Sequence, residues 1–281
     1  MITAATTPTS TGTAATSHRL ATAVATELRK LRTTRLWWVL LIGMTVYMAT
    51  LAAALALAIT QSPGELGGSH LDQVRSVYTI ATSLGYVFPA VVGTLAVTSE
   101  FRHRTIVPTL LSDPSRTRLV VAKMIASLPF GFLFGVVGTA AGTLAGAGVL
   151  AATGADPLLT SPEVWRSVML AVVALTVWTV VGVGLGTAVP NQVAAIIVLL
   201  GFTQLVEPTL RFALPALGSA GGTVASFLPG AAGEALAEAS LFSALSMSDI
   251  MSWWAGGLVL LAYAAVLGAL GRFTTLRGDI A

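Results

Sequence analysis

Six stretches of almost unbroken apolar sequence divide the chain: about Leu36–Thr60, Ser76–Thr98, Met124–Ala152, Arg166–Val189, Val193–Val206 and Met251–Leu270. An apolar run of about 20 residues crosses a bilayer as a helix, because only intrahelical hydrogen bonding satisfies the backbone in hydrocarbon. The pattern therefore predicts six transmembrane helices. Trp37 and Trp38 open the first, Trp165 precedes the fourth, and Trp253 and Trp254 open the sixth. These are the positions of an interfacial aromatic belt. Pro89 predicts a bend in the second stretch. The fifth has 14 residues, about 21 Å of helix. It must borrow flanking residues or thin the bilayer to cross about 30 Å of hydrocarbon. Residues 207–251 are moderately apolar but broken by Pro208, Pro215, Pro229 and a Gly/Ser/Ala-rich run at 218–226, which predicts one or two interfacial or re-entrant helices.

Ahead of the first stretch, residues 1–16 are uncharged and low in complexity, the composition of a disordered tail. Residues 17–35 place Leu20, Val24, Leu28 and Leu31 at helical spacing, with Arg19, Glu27, Arg29, Lys30 and Arg32 supplying the polar side. That periodicity predicts an amphipathic helix lying in the headgroup region; the plainer reading is a basic cluster beside the membrane. The whole of 17–281 then reads as a single transmembrane domain.

Between the second and third stretches lies Ser99–Lys123, with five of the fifteen basic residues: Arg102, Arg104, Arg116, Arg118 and Lys123. Thr105 can cap a short helix in which Ile106, Val107, Leu110 and Leu111 form an apolar face. Asp113 followed by Pro114 predicts a second helix start leading into the third stretch. The loop thus reads as a short surface helix followed by re-entry, or more simply as a basic loop that only orients the protein.

Composition narrows the class. Of 281 residues, 55% are hydrophobic and 10% charged, with mean hydropathy +0.84 and pI near 9.7. Soluble domains carry about 25% charged residues, so a soluble fold is excluded. The basic excess suits anionic lipid headgroups rather than nucleic acid. Counted by predicted loop, the side holding both termini and the central loop has twelve basic residues, and the other side has Arg75, Arg166 and Arg211. The positive-inside rule places the former in the cytoplasm. The absence of cysteine excludes disulfides and thiol chemistry.

Catalytic chemistry is sparse. The chain has two lysines, Lys30 and Lys123, and neither follows a phosphate-cradling glycine loop. Histidines 18, 70 and 103 are scattered, which argues against a metal site. Gly182, Gly184 and Gly186 alternate, but inside a membrane stretch rather than after a strand. No acid or base is expected deep in a span. Glu100 is placed at the end of the second, and Glu207 and Arg211 near the end of the fifth, at a spacing that predicts their pairing. Missing midplane carboxylates argue against an ion-coupled carrier. Gly131, Gly135, Gly138, Gly142 and Gly146 fall on one helical face of the third stretch, a surface that another backbone can approach closely.

The segment Ser99-Glu100-Phe101-Arg102-His103-Arg104-Thr105-Ile106, with Leu110-Leu111, Pro114, Arg116 and Ala122-Lys123, resembles the membrane subunits of type-2 (ABC-2) ATP-driven exporters. Arg104 stands where that family usually has glycine. Glu27-Leu28-Arg29-Lys30-Leu31 followed by Trp37-Trp38 is similar to its amphipathic N-terminal helix. The resemblance implies an all-α polytopic permease of the plasma membrane that dimerises as a homo- or heterodimer. It binds no cofactor itself and couples to a cytoplasmic ATPase subunit carrying ATP and magnesium. Glu100, Arg102, Arg104, Thr105, Ile106, Leu110, Leu111 and Arg116 would form the coupling segment. A non-transporting scaffold or sensor using the same loop, or less readily an ion-coupled carrier, is the alternative.

Overall fold

The computed structural model describes residues 12–62, 67–106, 115–241 and 251–275. These are mainly helical, without strands. Six helices are long and apolar enough to cross a membrane: Leu36–Gln61, Ala81–Arg102, Arg116–Ala152, Pro162–Ala188, Gln192–Leu217 and Trp253–Phe273. They are spans one to six below. An N-terminal helix, Gly12–Thr33, precedes them and begins before the expected start at residue 17. His70–Tyr78 is a short helix ahead of span two, started by a capping box between Ser69 and Asp72.

Span four is the centre of the bundle, packing on spans two, three and six. Small residues make this possible. A methyl group added at Gly93 of span two would lie 2.0 Å from the Thr179 carbonyl oxygen of span four, and one added at Gly182 would lie 2.0 Å from the Ala90 oxygen. The two backbones therefore touch where these glycines cross. The Thr94 hydroxyl lies 2.9 Å from the Ala90 oxygen and 3.1 Å from that of Gly182, within reach of both helices. Gly184 faces span six, where an added Cβ would meet the Ala264 oxygen at 3.0 Å.

The glycine stripe of span three has two sets of neighbours. Gly131 and Gly135 abut span-four backbone, at Thr176 Cα and at the Val172 carbonyl oxygen, each 2.9 Å from an added Cβ. Gly138 faces the Met44 side chain of span one, while Gly142 and Gly146 face Tyr78 and Val77 of the short helix. Span three itself starts at Arg116, where the Ser115 hydroxyl caps the Arg118 amide. The proposed start at Asp113-Pro114 lies outside the described residues.

Span two carries a π-helical turn, Ala81–Gly85, upstream of Pro89. Span five departs furthest from expectation. It does not stop at Val206: a π-helical turn, Phe202–Val206, leads into Glu207–Ala213 and a 3₁₀ turn, Leu214–Leu217. The π turn absorbs Pro208. The Glu207 amide bonds five residues back to the Phe202 oxygen, so the Thr203 oxygen would next await the amide that Pro208 lacks. The Tyr86 hydroxyl of span two supplies a donor there instead, at 3.1 Å. Tyr86 is held by stacking on Trp178, ring centroids 4.3 Å apart.

Two ionisable groups thus sit inside span five, contrary to the expectation that none would. Beyond the expected attraction between Glu207 and Arg211, each engages a partner outside span five. Arg211 bridges Glu234 at 2.6 Å, and Ser240 hydrogen-bonds the same carboxylate. Glu207 accepts from the Gly230 and Ala231 amides at 2.5 and 3.1 Å, capping the helix Pro229–Leu236 from a neighbouring element. Those partners lie at least 23 residues away in sequence, beyond the reach of a local pattern. After a short helix, Ser219–Ser226, the chain enters Pro229–Leu236, which is buried over its whole length against spans four and six.

Candidate functional site at the base of the central loop

Span two ends in a fully formed Schellman motif. The Thr105 amide bonds the Glu100 carbonyl at 2.9 Å and the Arg104 amide bonds that of Phe101 at 3.2 Å. The motif needs a left-handed residue, and Arg104 supplies it with φ of 57°. Arg104 therefore occupies the conformation that glycine adopts at least cost.

Just inside this turn, four charged side chains from three elements meet. Lys123 of span three is 2% exposed, and its ammonium lies 2.6 Å from Glu27 Oε2, 2.9 Å from Glu100 Oε1 and 3.1 Å from the Ala96 carbonyl oxygen. Lys30 contacts Glu27 Oε1 at 2.7 Å and Glu100 Oε1 at 2.8 Å. Glu27 and Glu100 are buried. Charges alternate around the ring and sum to zero, the condition under which a buried set of ions is tolerated. Lys30 is partly buried, which by itself would lower its pKa. Hydrogen bonds to Glu100 and Glu27, with their charges, outweigh this and hold it above the ordinary 10.5.

This clamp ties the N-terminal helix to both ends of the central loop. Glu100 is one of the residues singled out in the sequence; Glu27 and Lys123 acquire their role only here. Glu27 was expected on the polar side of the N-terminal helix and instead turns inward. Leu20, Val24, Leu28 and Leu31 are all partly buried, with Leu28 and Leu31 packed against the core. The available signal was that the chain's two lysines, among fifteen basic residues, flank the segments that meet.

The remaining loop residues are distributed differently. Arg102, Arg104 and Thr105 are exposed, Ile106 is buried, and Arg116 is partly buried at the start of span three. Arg102 donates to Gln192 at the start of span five at 3.4 Å. Leu110 and Leu111, with the short helix proposed for them, lie outside the described residues. Further contacts collect more chain ends here: Arg272 reaches Thr117, and the Thr275 hydroxyl bonds the Ala188 oxygen at 3.1 Å. The opposite end holds Arg75 and Arg166, both paired with Glu238, at 3.4 and 2.7 Å.

A family model described as ABC-2 family transporter protein matches residues 23–205. That range runs from the N-terminal helix through both loop ends to the π turn of span five. No curated protein matches the chain.

Proposed function

Because the chain belongs to the ABC-2 family of transporter proteins, we propose that it is the membrane subunit of an ATP-driven exporter, working with a separate ATPase subunit. In this reading two permease chains, identical or not, enclose the path. The cytoplasmic partner binds ATP and magnesium and pushes on the central loop. The charge bias of twelve basic residues against three supports a plasma-membrane orientation with that loop and both termini inside.

The observation that carries the coupling reading is the clamp. A partner can move the spans through a loop only if the loop ends are rigidly held. Here Lys123 fastens the start of span three to the end of span two and to the N-terminal helix within 2.9 Å. A push on the loop then shifts three elements together. Glu207 and Glu234, both buried, are groups an ion-coupled carrier would need, but a helix N-terminus and Arg211 already engage them.

Leu110→Asp tests the proposal, since it places a charge on the apolar face read from the loop sequence. The expected result is normal insertion and dimerisation with loss of ATPase-subunit co-purification and of transport. A variant that keeps the ATPase and exports normally would leave the loop as an orienting anchor only.

A further inference from the structure

Span five leaves more of itself uncovered than spans two, three and four. Of its most apolar stretch 22% is buried within the chain, against 61% in span four. Val193, Ile197, Leu200 and Gln204 are exposed along one side, opposite the side on which Ala195, Leu199 and Thr203 are buried. Spacings of four, three and four set the exposed residues in one row. Beside the row, a Cβ added at Gly201 would meet nothing within 4 Å, so a second helix can approach closely there. Gln204 is the polar member of this apolar row. It lies at the middle of the span that runs from Gln192 to Leu217. Its amide nitrogen donates to the Thr203 hydroxyl at 3.4 Å, and its amide oxygen accepts from no donor among the described residues. Hydrocarbon offers an amide neither donor nor acceptor, and leaving one there unpaired is costly.

We propose that this row is the surface on which a second copy of the chain docks, with the two Gln204 amides hydrogen-bonded to each other at mid-membrane. The amide itself selects the occupant. Its partner must present a donor and an acceptor at the same depth. Two copies related by a two-fold axis along the membrane normal bring each residue to the depth of its own counterpart. A carboxamide holds N–H and C=O together and is therefore complementary to itself. The inference rests on the two-chain reading above and narrows it to identical chains.

The chain has no cysteine, so single cysteines report the contact directly. In membranes, Gln204→Cys should oxidise to a disulfide-linked dimer. Val198→Cys, exposed a third of a turn away on the same span, should not. Sedimentation equilibrium of the full chain in density-matched micelles should give a dimer. Gln204→Met, similar in length but without hydrogen-bonding groups, should weaken it about tenfold. Equal cross-linking of Val198→Cys and Gln204→Cys, or an undiminished Gln204→Met dimer, would overturn the self-pairing. So would a Gln204→Cys that stays reduced and takes a water-soluble maleimide, which would place the residue on an aqueous path. Tyr47, exposed at the middle of span one, is the competing contact; a preferred link between copies carrying Gln204→Cys and copies carrying Tyr47→Cys would also overturn it. A dimer without the Gln204 link sinks this surface and leaves the two-chain reading standing. A chain that stays monomeric sinks pairing with itself and leaves only an unlike second chain.

Discussion

Lys123 and Glu27 are 96 residues apart in sequence and 2.6 Å apart in space. The N-terminal helix is therefore part of the bundle, secured by a charge pair sheltered from water. Removing one member of such a pair strands the other, which costs about 3–5 kcal/mol, whereas replacing both can be close to neutral. Lys123→Met should destabilise by that amount in detergent unfolding, and Glu27→Gln added to Lys123→Met should recover part of the loss. Additive losses in the double-variant cycle would mean the two side chains do not interact.

Lys30 gives the clamp a pH signature. Its pKa is raised above 10.5 by Glu100 and Glu27 working against burial. Its contribution is thus complete below the unfolded value and fades as pH rises through the higher folded value. The stability difference between wild type and Lys30→Arg, whose guanidinium stays charged, should be constant from neutral pH to about pH 10 and shift toward the variant above it. A difference that changes between pH 7 and 9 would remove Lys30 from the account.

The glycines should rank by what they face. Gly93→Ala and Gly182→Ala each drive a methyl group against a carbonyl oxygen 2.0 Å away and require two helices to separate. A loss of about 1–3 kcal/mol or more is expected. Gly138→Ala meets the flexible end of Met44, which can swing aside, and should cost less. Thermal unfolding of the three variants would refute this ranking if Gly138→Ala proved the most damaging.

Tyr86→Phe leaves the Thr203 oxygen without the donor that stands in for the missing Pro208 amide. An unsatisfied buried carbonyl costs about 1–3 kcal/mol. Pro208→Ala in the same background should restore part of it, because an amide becomes available to span five. No interaction between the two substitutions would show that the tyrosine and proline are unrelated.

Spans one, four and six were legible because nothing charged interrupts their interiors, so composition alone bounds them. Span five was read short because Glu207, Pro208 and Arg211 together resemble a helix end. What keeps the helix going is tertiary: amides at Gly230 and Ala231, the carboxylate of Glu234, and a hydroxyl from span two. The polar side of the N-terminal helix was legible as a face. That Glu27 would leave it for a lysine in span three was not, because helical periodicity says which residues share a side and nothing about a charge arriving from elsewhere. Arg104 shows a further limit: an arginine where the family usually has glycine left the turn geometry open, and the left-handed conformation, φ of 57°, is seen only in the structure.

The clamp also fixes the chemistry of the chain's amines. Lys30 and Lys123 are its two lysines, and their side chains are 38% and 3% exposed. An acylating reagent can reach the first, slowed by the carboxylates that keep it protonated, and should reach the second only when span three parts from the N-terminal helix. The unaltered protein therefore carries its own footprinting reporter, in which the yield of acyl-Lys123 measures how often the base of the loop comes open.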